Sequence, residues 1–331
     1  MKNRNSIFNV SKFLFLFAGV LLLAYSCQDS DKSNAEKNKV ARVISVPDFN
    51  ADSAYQFIQE QVDFGPRIPN TKAHTAAGDK IIARLTAYGA KVNVQSFEAT
   101  AYDGTRLALR NIMGAINPTA KKRILLATHW DTRPWASKDK ETPKAQFDGA
   151  NDGGSGVGVL LEIARQIQLA NKPDVGIDLL FFDGEDWGQE NGGRPETWCL
   201  GSQYWANNKK GYTAYYGILL DMVGGKNAQF PFEGYSKKMA RKVLTKVWTQ
   251  AAEIGYSKYF IPRNEGTITD DHYYVNKIGK IPMIDILHWE PESGYFGDWH
   301  HTLKDDMSII DKNTLKAVGQ TVLHVVYYEE L

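Results

Sequence analysis

From Arg123 onward the chain repeats one pattern that leaves few folds open: an apolar run, a polar or glycine-rich loop, then a stretch of helical spacing. Ile124-Leu125-Leu126-Ala127-Thr128 has no polar face, and Ile177 to Phe182, Tyr216 to Leu220 and Pro282 to Leu287 are nearly as apolar. A strand exposed to water on one face alternates, so a run without alternation must be covered on both faces. Between and after these runs, Val157 to Ile167, Met239 to Ile254 and Leu315 to Tyr328 carry apolar residues at helical spacing, with Ser155 placed as a cap for the first. The expected fold is α/β: a single domain whose mixed, mostly parallel central sheet is sandwiched between helices.

The segment before Arg123 fits the same domain. Ala51 to Gln61 and Thr71 to Tyr88 read as helices separated by a loop holding Pro66 and Pro69, and Lys91 to Phe97 and Leu107 to Gly114 read as strands. No repeat or linker divides residues 46–331, which are read as one catalytic domain.

The N-terminus is different in kind. Lys2 and Arg4 precede the apolar run Phe13 to Ala24, a secretory layout, and residues 1–26 are read as a signal peptide. Leu23-Ala24-Tyr25-Ser26-Cys27 resembles a relaxed bacterial lipobox, which makes Cys27 the lipidated first residue of the mature protein. Residues 27–45, rich in Ser, Asp, Asn and Lys, then serve as a flexible tether. An exported bacterial lipoprotein of the periplasm or outer membrane is expected, attached through its lipid. With Cys27 so used, Cys199 is the only other cysteine, and it is read as a buried small hydrophobe. A net charge of +1 calls for no nucleic-acid partner, and a monomer is expected.

Groups able to bind metals or move protons gather after the strands: His129 and Asp131, Asp152, Glu185 and Asp186, Asp221, then Asp270, Asp271, His272, His300 and His301. Open parallel sheets bind ligands at that edge. Singly, each has an ordinary explanation: Asp152 beside Gly153 and Gly154 suits a turn, and an acidic run such as Asp183 to Asp186 suits a solvated loop. Together, His and carboxylate groups delivered by several strands suit Zn²⁺.

The series Thr128-His129-Trp130-Asp131, Gly149-Ala150-Asn151-Asp152-Gly153-Gly154-Ser155-Gly156, Phe181-Phe182-Asp183-Gly184-Glu185-Asp186, Leu220-Asp221-Met222 and His301-Thr302-Leu303-Lys304-Asp305 resembles the co-catalytic zinc aminopeptidases and their relatives, the animal-type glutaminyl cyclases. The resemblance implies zinc held by Asp152, Asp186 and His301, with His300 the alternative, and Glu185 as general acid/base. It also implies a second-metal position at His129 and Asp221, used by the peptidases. In the cyclases one zinc is expected, and Asp221 holds the substrate amine.

Three features lean toward the cyclase. Phe64-Gly65-Pro66-Arg67-Ile68-Pro69-Asn70-Thr71 with Ala73-His74 looks like the opening motif of bacterial cyclases. Asp270-Asp271-His272 resembles the segment that places an acid, here Asp271, beside the catalytic Glu. Trp187, Trp198 and Trp299 stand in loops near these groups, as walls of a small pocket would. The departures are Glu185-Asp186 where animal enzymes have Glu-Glu, and His300 where they have Trp. The implied reaction converts the N-terminal Gln of peptides and proteins to pyroglutamate with loss of ammonia; the alternative is a two-zinc aminopeptidase.

Overall fold

The structure is a computed structural model that describes residues 44–190 and 192–329; the signal peptide 1–26, Cys27 and nearly all of the tether lie outside these residues. Two helices open the domain, α1 (Ala51–Val62) and α2 (Lys72–Ala87), capped by the side chains of Asn50 and Thr71. β1 (Lys91–Thr100), β2 (Arg106–Ile116) and β3 (Arg123–His129) follow, then α3 (Gly154–Leu169), β4 (Gly176–Phe182), α4 (Leu200–Asn208) and β5 (Tyr216–Asp221). The remainder contains β6 (Phe230–Phe232), α5 (Gly234–Met239), α6 (Arg241–Glu253), β7 (Phe260–Asn264), α7 (Asp271–Lys277), β8 (Met283–Leu287) and α8 (Lys312–Tyr327).

The main sheet has the order β1-β2-β4-β3-β5-β8. β4, β3, β5 and β8 run parallel, and β2 is antiparallel to both β1 and β4, so the sheet is mixed and mostly parallel as the apolar runs require. Alternate residues of one strand enter different cores. Ile124 and Leu126 pack in the larger core with Val157, Leu160 and Val322, while Leu125 and Ala127 pack in the smaller one with Trp205 and Val275. Each such aliphatic chain contributes about 1.5–3 kcal/mol by leaving water. Because β4 and β5 flank β3, the chain turns in opposite directions on either side of β3 and opens a crevice at the C-terminal ends of these strands.

Several local expectations change. Ser155 is not a cap: α3 begins at Gly154, and the Ser155 hydroxyl donates to Asn151 O at 2.6 Å while accepting Val223 N–H at 2.9 Å. Gly156 lets α3 lie directly on the sheet, since a Cβ there would collide with the Thr128 side chain and the Leu220 carbonyl. The helix expected over Met239 to Ile254 is α6, which begins at Arg241; a short helix, α5, precedes it and is separated from it at Ala240 (φ −136°, ψ 36°). The Glu233 carboxylate caps the Tyr235 and Ser236 N–H groups and so starts α5 earlier. α4, α7 and the small parallel pair β6/β7 carried no clear periodicity, being 9, 7, 3 and 5 residues long.

Among the described residues no helix is long and apolar enough to cross a membrane.

Candidate active site

β3, β4 and β5 end at His129, Phe182 and Asp221, and the loops beyond them converge. The cleft so formed has a volume of about 440 Å³ and is lined by Asp152, Glu185, Asp186, Asp221, His300 and His301, among others. Asp152, Asp270 and the two histidines do not stand directly at strand ends, contrary to the simplest reading of the sequence. Asp152 lies in the loop before α3, Asp270 caps α7, and His300 and His301 occupy a turn between β8 and α8.

Each group is held by buried scaffolding. Arg67, wholly buried, donates to Trp130 O at 3.2 Å and to Asp148 O and Gly149 O at 2.6 Å each, tying the loop that carries Asp152 to the end of β3. The Asp305 carboxylate accepts the N–H groups of Asn151 at 2.7 Å and Asp152 at 3.1 Å, which explains the acid three residues beyond Thr302. Burial, with Asp152 nearby, raises the pKa of Asp305 to about 8. Asp131 accepts the N–H groups of Glu185 at 3.1 Å and Asp186 at 3.2 Å, fixing both acids of the pair with one carboxylate. Behind them the buried His74 ring contacts both oxygens of Asp183, at 2.9 and 3.0 Å, and stacks on Trp130.

Two donor sets result. His301 Nε2 is 3.0 Å from Asp186 Oδ1 and 3.5 Å from Asp152 Oδ2. Asp186 Oδ1 is buried yet accepts no properly directed hydrogen bond. His129 Nε2 is 3.0 Å from Asp152 Oδ1 and 3.2 Å from Asp221 Oδ1, so Asp152 faces both sets, one oxygen to each. One imidazole and two carboxylates converging in this way form a zinc-type donor set.

The two histidines are oriented differently, although one ring atom of each lies within 4.8 Å of an Asp152 oxygen. Nδ1 of His301 is 3.0 Å from Glu190 Oε2, which leaves Nε2 directed at the two Asp ligand candidates. A carboxylate behind an imidazole is the usual way to fix the tautomer of a metal-binding histidine. His300 instead accepts a hydrogen bond on Nδ1 from Lys138 Nζ at 2.7 Å, and its Nε2 is 3.8 Å from Asp152 Oδ2. Burial, with His301 and Lys138 beside it, holds the His300 pKa well below its usual value. His301 has φ 58°, a strained conformation for a residue with a side chain; Met222 (52°), also in the cleft lining, and the buried Cys199 (57°) behind Glu185 share it.

Glu185 is pushed well above the usual carboxylate range by burial and by Asp186, Asp270 and Asp271. Burial and the repulsion of Asp270 also raise Asp221, to about 7, against the pull of His129. Glu190 is lowered to about 2: burial works against ionisation, but His301, Lys138 and Arg133 outweigh it.

Of the three tryptophans expected to wall the pocket, only Trp198 does so, lying parallel to His301 with ring centroids 6.0 Å apart. Trp187 turns into an apolar cluster with Ile68, Phe97, Leu107 and Leu109, and its Nε1 donates to Asp103. Trp299 packs with Met222 and Leu287. Both fill core instead, as a large ring does when a nearby apolar cluster can bury it. Further walls include Ile268, Tyr295 and Phe296, in loops without periodicity. Asp270 lines the cleft while Asp271 is wholly buried outside its lining. Asp271 was the acid expected beside Glu185, but it is Asp270 that lines the cleft and approaches Glu185; Glu190 and Lys138 had no signal in the sequence, because loop conformation alone brings them there. Cys199 is buried as expected, but its thiol donates to Glu185 Oε1 at 3.2 Å, so it is more than apolar filling.

The model of peptidase family M28 matches residues 111–326. Among solved structures, the chain is similar to a glutaminyl cyclase of Bacteroides thetaiotaomicron bound to N-acetylhistamine. The two are 52% identical, with 86% of this chain and 100% of that one covered and a TM-score of 0.84. A protein of Parabacteroides distasonis described as a Zn-dependent exopeptidase is also 52% identical over 86% of this chain and 100% of that one, with a TM-score of 0.83. The glutaminyl-peptide cyclotransferase of Bos taurus is 27% identical over 299 residues, 80% of this chain and 78% of that protein.

Proposed function

The chain belongs to peptidase family M28, and we propose that within it the protein is a zinc-dependent glutaminyl-peptide cyclotransferase, converting the N-terminal Gln of peptides and proteins to pyroglutamate and ammonia. The observation that carries this reading is the placement of Glu185: a half-buried carboxyl lining the cleft beside a zinc-type donor set, with its backbone N–H fixed by Asp131. Such a group can take a proton from one nitrogen and return it to another.

Asp152, Asp186 and His301 would hold the zinc, and the buried Asp186 Oδ1, which accepts no properly directed hydrogen bond and faces His301, supports that fit. When bound, zinc supplies a Lewis acid for the γ-carbonyl of the substrate. Glu185 accepts a proton from the α-amine as that nitrogen bonds to the γ-carbon, and delivers it to the departing amide nitrogen. Asp221 faces the cleft and orients the amine, and Asp271 acts through the acidic network that tunes Glu185. Trp198 and Phe296 confine the side chain so that it folds back on its own amine.

The second reading, an aminopeptidase, is favoured by one observation: His129, Asp152 and Asp221 already form a second donor set. A peptidase must make hydroxide from water, whereas the α-amine of a peptide has a pKa near 8 and is partly neutral without help. We therefore assign one zinc. Metal analysis of protein saturated with zinc and freed of excess is expected to give one ion per chain, with cyclase activity saturating at the same ratio; two ions required for activity would favour the peptidase.

Ligand roles are tested separately. His301→Ala is expected to lose the zinc, and His300→Ala to retain it, since only His301 directs Nε2 between Asp152 and Asp186. Glu190→Gln should weaken zinc binding by about 10- to 100-fold, measured by chelator competition. Zinc lost from His300→Ala and kept by His301→Ala would move the ligand by one position.

The protein is further proposed to be a monomer, because one chain completes the cleft, and a lipoprotein of the periplasm or outer membrane anchored at Cys27. The apolar run and lipobox-like segment support the anchor. Cys27→Ser is expected to shift the active enzyme from the membrane to the soluble fraction; unchanged membrane association with an unprocessed precursor would indicate an uncleaved anchor instead.

A further inference from the structure

The proposed reaction leaves the contact between Cys199 and Glu185 unused. The thiol is wholly buried and donates to Glu185 Oε1, and the Cys199 N–H donates to Glu185 O at 2.9 Å. With φ 57° and ψ 39°, Cys199 occupies a backbone conformation that costs energy for any residue but glycine. Its position is thus imposed by the fold.

Asp270 completes a third group. Its Oδ1 accepts the Asp271 N–H at 2.5 Å, while its Oδ2 is buried and has no hydrogen-bond partner. One donor atom from each of Glu185, Cys199 and Asp270 lies within 4.8 Å of the others, close enough for one ion with bonds of about 2.0–2.3 Å to draw the three together. This group shares no residue with Asp152, Asp186 and His301 or with His129 and Asp221. Glu185 and Asp270 both line the cleft, which gives an ion a path in. The carboxylates of Glu185, Asp271 and Asp270 surround the thiol with negative charge, which favours a cation there.

We propose that Glu185, Cys199 and Asp270 form an inhibitory site for a thiophilic divalent cation, Cd²⁺ or a second Zn²⁺, that enters from the cleft. Sulfur and carboxylate donors together suit these ions, which bind thiolate in preference to thiol. On binding, a metal–sulfur bond replaces the S–H bond and the proton leaves to solvent buffer. Two carboxylates and one thiolate then surround the dication, and Glu185, now a ligand, no longer carries protons. The inhibition rests on the cyclase reading of Glu185; the binding does not.

The test titrates full-length, zinc-loaded protein with cadmium chloride. Expected are a thiolate-to-cadmium ultraviolet absorption saturating near one equivalent, loss of Gln-peptide turnover over the same range, and retention of the original zinc by elemental analysis. Cys199→Ser and Cys199→Ala should lose that absorption and raise the half-inhibiting cadmium concentration about tenfold or more, each judged against its own uninhibited rate. Any signal from an unlipidated Cys27 persists in both variants and is subtracted. Should either fail to fold by circular dichroism, Asp270→Asn, with the thiol intact, is expected to weaken cadmium binding. Absence of the absorption in the unmodified sequence, release of zinc in proportion to cadmium, or equal inhibition of Cys199→Ser would overturn the site. Absorption without loss of turnover would uphold the site and instead refute Glu185 as the proton carrier.

Discussion

Glu185→Gln is expected to lower turnover of a Gln-initiated peptide by about 10²- to 10⁴-fold while zinc content stays unchanged. The loss corresponds to roughly 3–5 kcal/mol of transition-state stabilisation. Gln preserves the shape of the side chain and an oxygen for the Cys199 thiol, and its backbone N–H still reaches Asp131, so the loop carrying Asp186 should not move. What the amide cannot do is accept the amine proton and release it to ammonia. Activity and zinc are to be measured on the same preparation. If both vanish together, Glu185 is a ligand and the roles of Glu185 and Asp186 are exchanged.

A peptide beginning with Gln is expected to yield a product lighter by one ammonia, with no free amino acid, whereas the matched peptide beginning with Leu remains intact. The difference should be close to all-or-none. An amine held against its own side-chain carbonyl reacts as though the partner were present at about 10⁵–10⁸ M, and a Leu side chain offers no carbon to attack. Mass spectrometry of both mixtures, with assay of free amino acids, decides the outcome. Release of Leu would mean that water is the nucleophile and that His129 and Asp221 join Asp152 around a second metal, leaving the fold and the first donor set as described.

The relatives make both experiments necessary, since proteins equally similar to this chain are described as a glutaminyl cyclase and as a Zn-dependent exopeptidase. The two chemistries share the donor sets. They differ in the nucleophile, which the substrate carries in one case and a metal must generate in the other.

The sheet and its polarity could be read from the amino-acid order, because a strand covered on both faces must be apolar throughout and Ile124 to Ala127 can satisfy no other environment. The candidate site was legible to the same depth: His129, Glu185 and Asp221 directly follow or end apolar strands, and the spacing of His301, Thr302 and Asp305 marked the turn whose carboxylate holds the Asp152 loop. Tertiary structure alone decided the rest. Whether Trp187, Trp198 or Trp299 faces the cleft depends on whether a nearby apolar cluster can bury the ring, and such clusters are assembled from distant segments, such as Ile68, Phe97 and Leu107 around Trp187. Glu190 behind His301, Lys138 against His300, and Asp270 and Cys199 beside Glu185 are likewise products of loop conformation. Loops have no periodicity to read; their side chains are directed by buried hydrogen bonds, here those of the Arg67, Asp131 and Asp305 side chains, whose partners lie 54 or more residues away in sequence.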